Sequence, residues 1–265
     1  MKYLTRTATL GTAVVTSLAL AAAGCSSSPE PEDRSSVTER TNDLDAVSPA
    51  LAEYDTEQVE GLWEDDSLSA RDRGLVTIAT LISADSTNDL GYYVDRALDD
   101  GLAPEELSEA VTHLAFYAGW PTAMAAVPVI ANIYEDRGID ADQLPDTGPE
   151  LLPQDEEAEA ERAADVQQQH GPVSQGVVDS TGDVVFNDLW LRPGLDPRDR
   201  SLVTVVALIA TSQPDQVEYH LGRAMDNGLT ADEVDAVLDH IIFFTGWPRV
   251  FTALPVARDV LDSRS

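Results

Sequence analysis

Residues 71–82 read Arg-Asp-Arg-Gly-Leu-Val-Thr-Ile-Ala-Thr-Leu-Ile, and residues 198–209 read Arg-Asp-Arg-Ser-Leu-Val-Thr-Val-Val-Ala-Leu-Ile. The two stretches are 127 positions apart, and the correspondence runs without a gap from 71–134 to 198–261, with 23 of 64 positions identical. Self-similarity at one fixed offset over that length marks a repeated structural unit. Tyr92, Arg96, Ala97, Gly101 and Leu102 recur as Tyr219, Arg223, Ala224, Gly228 and Leu229, and His113 recurs as His240. Gly119-Trp120-Pro121 returns as Gly246-Trp247-Pro248, and all four tryptophans pair, Trp63 with Trp190 and Trp120 with Trp247. The chain is a tandem duplication.

Each copy reads as helices. Ser69, with Asp72 three residues on, forms a capping-box pattern that opens a helix through about Ala84, and Asp196-Pro197 marks the same start in copy two. Leu75, Ile78, Ala79 and Ile82 fall at helical spacing within it. A helix over 88–100 stops at Gly101, as its counterpart stops at Gly228. Pro104 opens a helix through Ala118, Gly119 breaks it, and Pro121 sits in the first turn of a last long helix ending near Gly138. The reading is an all-α protein of two similar halves, 48–138 and 159–265. The segment 139–158 between them is acidic and proline-bearing, hence a linker.

Composition narrows the function. Of the 265 residues 43% are hydrophobic, enough to bury a core, and 48 acidic residues against 16 basic ones give a net charge of −32. A surface this anionic repels phosphate backbones, which excludes nucleic-acid partners. The only cysteine is Cys25, so the folded part has no internal disulfide and no two-thiol redox centre. Four histidines, His113, His170, His220 and His240, leave little for a metal cluster.

The start of the chain reads as an address. Lys2 and Arg6 precede an uncharged, small and apolar run over 8–24, the pattern of a secretory signal. Ala22-Ala23-Gly24-Cys25 resembles a bacterial lipobox, which implies removal of 1–24, acylation of Cys25, and a lipid-anchored protein on the extracytoplasmic face of the cell membrane. Residues 25–47 are polar and read as a flexible tether.

Candidate chemistry lies on the helix from Pro104. Leu107, Val111, Leu114 and Ala118 form its apolar stripe. Glu106, Glu109, His113 and Tyr117 form a second stripe at the same spacing, so Glu109 is one turn before His113. A carboxylate there is expected to orient the imidazole and raise its pKa, as general acid–base catalysis requires. Copy two keeps Glu233 and His240 but has Ala236 and Phe244 in place of Glu109 and Tyr117, whereas His220 occurs only in copy two, opposite Tyr93. The halves diverge at polar positions within a common frame, which suggests one site assembled from both halves or one degenerate half. Arg71, Arg73 and Arg96 recur as Arg198, Arg200 and Arg223. Such cations suit a substrate carboxylate, or ordinary ion pairs with neighbours such as Asp72 and Asp199.

These residues carry a resemblance. The run from Trp190 to Thr204, the pattern His220-x-x-x-Ala-Met-x-Asn-Gly, and Glu109-x-x-x-His113-x-x-x-Tyr117-x-Gly-Trp-Pro are similar to the carboxymuconolactone decarboxylase family. The resemblance implies two tandem AhpD-like helical domains and a homo-oligomer, a trimer with pseudo-hexameric symmetry. It also implies cofactor-free acid–base chemistry, decarboxylation or isomerisation, on a small organic acid or lactone. The residues it singles out are His113, Glu109, Tyr117, His220 and His240 for proton transfer, and Arg71, Arg96, Arg198 and Arg223 for the substrate carboxylate. The peroxidase branch of the superfamily needs a Cys-x-x-Cys pair, and the matching positions hold Gln213 and Gln216, or Ser86 and Asp89. Without thiolates that chemistry has no nucleophile. The alternative from another class is a non-catalytic binding or scaffold lipoprotein of the same fold.

Overall fold

The computed structural model describes residues 44–264. The expected signal at 1–24, Cys25 and the tether up to residue 43 lie outside the described residues. Among the described residues every regular element is helical, and no helix is long and apolar enough to cross a membrane. A first unit ends at Ala52; its described residues, 44–52, are helical apart from Ser48 and include the start of helix α1, Pro49–Tyr54. The second unit, Glu53–Ser265, holds the rest of both copies.

Copy one of the repeat contributes α2 (Ala70–Ser83), α3 (Leu90–Asp99), α4 (Pro104–Tyr117) and α5 (Trp120–Arg137). After it come α6 (Glu156–His170), the short α7 (Gln175–Ser180), a π-helical turn Thr181–Phe186 and a 3-10 turn Leu189–Leu191. Copy two then repeats the pattern as α8 (Pro197–Ala210), α9 (Pro214–Asp226), α10 (Ala231–Thr245) and α11 (Trp247–Asp262). The ends follow the local chemistry. The Ser69 hydroxyl accepts from the Asp72 backbone N–H at 3.1 Å, and the α8 start uses Pro197 at its first position instead. Glu106 and Glu233 reach back to the backbone N–H of Ala103 and Thr230 at 2.8 and 2.7 Å. The breaks after α3, α4, α9 and α10 fall at Gly101, Gly119, Gly228 and Gly246, all at positive φ.

The core is shared between copies. Every residue from Asp72 to Ser83 in α2 and from Asp199 to Ala210 in α8 is buried. The one-sided apolar face read from Leu75, Ile78, Ala79 and Ile82 is therefore only half of the burial. A helix covered all round must be wrapped by neighbours on every side, and here the other copy supplies the missing cover. The central helices α2 and α8 pack on each other, α4 packs on α8, and α10 packs on α2. Gly74 marks the closest approach within copy one, because a Cβ there would stand 2.5 Å from the Ala97 Cβ on α3. The linker is tied down on the lead-in to copy two: the Leu152 N–H donates to the Leu191 carbonyl at 2.7 Å and the Gln154 amide to the Phe186 carbonyl at 3.0 Å.

Charges at the start of α2 and α8 meet across the junction of the copies. Arg71 bonds Asp199 at 2.6 Å, its neighbour Asp72 at 2.9 Å, and Glu106. Arg198 mirrors it, with Asp72 at 3.0 Å, Asp199 at 2.7 Å and Glu233 at 2.6 Å. Removing one member of a largely buried ion-pair set leaves its partners desolvated and uncompensated. Asp199→Ala is accordingly expected to cost about 3 kcal/mol, whereas Asp259→Ala, in an exposed pair with Arg258, should change stability by less than about 0.5 kcal/mol. Chemical denaturation midpoints of the two variants check this, and equal midpoints would refute it.

Candidate functional site

The exchange of helices between copies produces two related clusters, one on each side of the central pair. The first takes Glu109, His113 and Tyr117 from α4 of copy one. From copy two it takes Trp190 and Arg192 of the lead-in, Arg200 and Thr204 from α8, and His220 and Arg223 from α9.

Glu109 is fully buried and held by two guanidiniums. Arg192 donates to it through Nε at 2.9 Å and Nη2 at 2.6 Å, and Arg200 through Nη2 at 3.0 Å. Arg192 also reaches the linker, at the Asp146 carbonyl, 2.9 Å away. His113, also fully buried, bonds Thr204 Oγ1 through Nε2 at 2.7 Å, and its Nδ1 faces Arg200 Nη1 at 3.4 Å. The expected Glu109–His113 pair is thus not formed. A carboxylate offered two permanent cations spends its lone pairs on them rather than on a neutral ring. The expected upward shift of the His113 pKa is overturned as well: burial, and then the charge of Arg200, holds it well below the ordinary value.

The outer part of the cluster is aromatic. The Trp190 indole N–H donates to the Tyr117 hydroxyl at 2.8 Å. The His220 ring stacks on Trp190, with centroids 5.8 Å apart, and meets the Tyr117 ring edge-on at 5.2 Å. Arg223 lies over the same indole, 4.3 Å from its centroid. Three buried polar atoms of the cluster have no hydrogen-bond partner, Arg200 Nε, His220 Nδ1 and Arg223 Nε. Burial, and then Arg223, lowers the His220 pKa to about 4, so its ring is neutral at pH 7. Burial pushes the Tyr117 hydroxyl up, which keeps it protonated.

The second cluster has the same frame and different chemistry. His240 Nε2 bonds Thr77 Oγ1 at 2.7 Å, and its ring stacks on Phe244 and meets Trp63 edge-on. Tyr93 stacks on Trp63 where His220 stacks on Trp190, and Arg96 lies over Trp63 at 4.1 Å. Unlike Arg223, Arg96 pairs with a carboxylate, Glu60, at 2.9 Å; position 187, the counterpart of Glu60, holds Asn187. Arg73, counterpart of Arg200, donates to the backbone carbonyls of Asp65 and Leu68. Ala236 replaces Glu109, and a cavity of about 10 Å³, room for one water, opens among Arg73, Ala236 and His240. With Phe244 replacing Tyr117, the Trp63 indole N–H has no acceptor.

Of the residues singled out in the sequence, Glu109, His113, Tyr117, His220 and Arg223 share the first cluster. His240 and Arg96 belong to the second, and Arg71 and Arg198 are committed to carboxylates at the junction. Sequence reasoning missed Arg192, Trp190 and Thr204 as parts of the cluster. Arg192 had a readable signal, because its counterpart is the oppositely charged Asp65. In the first cluster Arg192 and Arg200 share Glu109 while Arg223 makes no carboxylate ion pair among the described residues, whereas in the second Arg96 is paired with Glu60.

Comparison with known proteins identifies the family and the fold. The profile of the carboxymuconolactone decarboxylase family matches residues 49–132 and 177–259, well over half of the chain. Among curated proteins, a 75-residue stretch is 35% identical to the 4-carboxymuconolactone decarboxylase of Acinetobacter baylyi, covering 28% of this chain and 56% of that protein. A stretch of the same length is 29% identical to the nitrosuccinic acid decarboxylase of Metarhizium robertsii, covering 28% and 52%. The chain thus spans about half the length of the curated relatives it matches. Among solved structures, a protein of Burkholderia xenovorans described as a gamma-carboxymuconolactone decarboxylase subunit superposes with a TM-score of 0.51 at 19% identity, over 84% of this chain and 91% of that one. That likeness establishes the fold.

Three buried neutral histidines give the fold a specific acid sensitivity. His220 and His240 are each lowered from 6.5 to about 4, and His113 is lowered too, with burial as the main cause in all three. Below pH 6.5 the unfolded chain binds protons that the folded chain refuses, so stability is complete above that pH and falls as pH drops towards 4. Each of His220 and His240 contributes on the order of 3 kcal/mol to that fall. Thermal midpoints recorded from pH 7 to pH 4 should decline in this window, and His240→Gln should flatten the decline; an unchanged slope would refute the assignment.

Proposed function

The chain belongs to the carboxymuconolactone decarboxylase family, and we propose that it is a cofactor-free enzyme acting on a small organic acid or lactone at the first cluster, with one working site per chain. The observation that carries the reading is that His220 Nδ1 and Arg223 Nε, both on side chains packed on the Trp190 indole, are buried without a partner, whereas Arg96, the twin of Arg223, is paired with Glu60. A buried polar atom without a partner is costly, and a bound carboxylate would repay that cost at both residues.

In this reading Arg223 holds the substrate carboxylate, as its twin Arg96 holds Glu60. Decarboxylation breaks the carbon–carboxylate bond, leaves the electron pair on carbon within an unsaturated system, and requires a proton to quench it. Isomerisation moves a proton between carbons of that system. Tyr117, whose oxygen accepts from Trp190, retains its own proton for donation, and neutral His220 accepts one. The Arg223 guanidinium stabilises the anionic intermediate. That the named relatives are decarboxylases of organic acids supports the reaction class. The second cluster, with Ala236, Phe244 and a neutralised Arg96, fits the scaffold role within the same chain.

The test uses the repeat as its own control. Decarboxylation of a panel of carboxylated lactones and nitro- or keto-acids, followed by carbon dioxide release, should fall about 100-fold or more in His220→Asn. It should fall at least about 10-fold in Arg223→Gln. Tyr93→Phe and Arg96→Gln, the equivalents in copy one, should stay within about two-fold. Equal losses in both halves would refute a single working site, and no turnover of any acid by the native protein would favour the scaffold reading.

We further propose a lipid-anchored, extracytoplasmic trimer. Trp120, Met124 and Val127 on α5, and Trp247, Phe251 and Leu254 on α11, are exposed apolar stripes at equivalent positions. Such patches support self-association. Acylation rests on Cys25 and its preceding residues. Native mass spectrometry of detergent-extracted protein should find three chains, each with acyl mass on Cys25; single chains, or an unmodified Cys25, would refute the respective part.

A further inference from the structure

We infer that Arg200 is a positioning residue that fixes the proton of His113 on Nε2 and removes that histidine from proton exchange, leaving His220 as the histidine that exchanges protons in the first cluster. The inference rests on the proposed function only for its catalytic consequence; the assignment of the proton stands on geometry.

A guanidinium has donors and no acceptor. Arg200 Nη1 faces His113 Nδ1 at 3.4 Å, so that nitrogen must present a lone pair and the ring proton must sit on Nε2. The opposite side gives the same answer. Thr204 Oγ1 is 2.7 Å from His113 Nε2 and donates its single proton to the Arg200 carbonyl at 2.9 Å, so it accepts from the imidazole. Both ring nitrogens are occupied, and a second proton on Nδ1 would point at a cation. Arg200 cannot withdraw, because it is fully buried and anchored by Glu109 at 3.0 Å and by the Arg192 carbonyl at 2.8 Å. Arg192 in turn holds Glu109 from the other side.

The groups facing His113 are Tyr117 on its own helix, Arg200 and Thr204 on α8, His220 and Arg223 on α9, and Trp190 of the lead-in, with Glu109 one turn back on its own helix and bound to Arg200. The carboxylate in this set is Glu109, already bound to two arginines. His220 differs in every respect that matters: its Nδ1 has no partner, and its ring lies between Trp190 and the Tyr117 edge, beside Arg223. The invariant histidine of the repeat, matched by His240 on Thr77, is thus the framework histidine, and the one found in a single copy carries the chemistry.

Long-range proton–nitrogen NMR correlations on the native, ligand-free chain decide the point without any substrate. His113 should show a pyridine-type Nδ1 and a pyrrole-type Nε2, unchanged between about pH 5 and pH 8. Arg200→Gln should release the constraint, so that His113 populates both tautomers or titrates, while the His220 signals stay in place. Should that variant fail to fold, Thr204→Val removes the Nε2 acceptor but leaves Arg200 on Nδ1, so His113 should keep its proton on Nε2, and a loss of that preference would overturn the role of Arg200. A native His113 carrying its proton on Nδ1, interconverting between tautomers, or titrating in this range overturns the inference. In that event a His220→Asn variant that had lost activity would still support the proposed function, so the two failures are distinguishable.

Discussion

A helix buried on every side must find partners for its charged residues inside the protein. Both central helices carry Arg-Asp-Arg in their first turn, so the arginines and aspartates of the junction must be paired. Crossed pairing answers this: Arg71 takes Asp199 and Arg198 takes Asp72, while Glu106 and Glu233 close the set from the helices that follow. That arrangement aligns α2 against α8 and thereby sets where α4 and α10 cross. Each histidine consequently lands on the threonine of the other copy, His113 on Thr204 and His240 on Thr77. Both clusters inherit their composite character from the charges at the junction.

Within that frame the polar differences between clusters come in linked sets. Glu109 is fully buried, and an ionised carboxylate there is tolerable because Arg192 and Arg200 both reach it. Where Ala236 replaces it, an arginine at position 65 would have no buried carboxylate to bind, and that position carries Asp65. Glu60 neutralises Arg96, whereas Asn187 leaves Arg223 without that charge. The lost Tyr117 hydroxyl at Phe244 goes with an indole N–H, that of Trp63, which has no acceptor. Each single difference looks arbitrary in an alignment of the two halves. Taken together they separate a cluster with a buried Glu109 and an arginine, Arg223, free of a carboxylate ion pair from one whose matching arginine, Arg96, is paired with Glu60.

The duplication and the helix boundaries were legible because their causes are local: capping residues, prolines and glycines act within a turn or two of the chain. The cross-copy packing was not, because hydrophobic periodicity reports that a face is covered without reporting what covers it. The same gap explains the error at Glu109. A spacing of four residues brings Glu109 and His113 together on one helix, but the stronger partner arrives from 83 residues away in the chain, with Arg192. A guanidinium outcompetes a neutral imidazole for a carboxylate, and no pattern within α4 announces it. The divergence of His220 from Tyr93 and of Tyr117 from Phe244 was the usable signal for asymmetry between the two clusters.

Covalent duplication is what permits this asymmetry. In a symmetric dimer of single-copy chains the two sites would be identical, and every costly buried polar group would occur twice. Joining the copies lifts that restriction. Replacing a buried ion pair by well-packed apolar groups is often neutral or stabilising, and the second cluster has made such replacements at Ala236, Phe244 and Tyr93, each buried or packed on the shared core. The replacement is incomplete, since Arg73 Nε and the Trp63 N–H remain unpartnered beside it. The two halves are thus free to hold different polar groups around one shared core, and each half's packing supports the other.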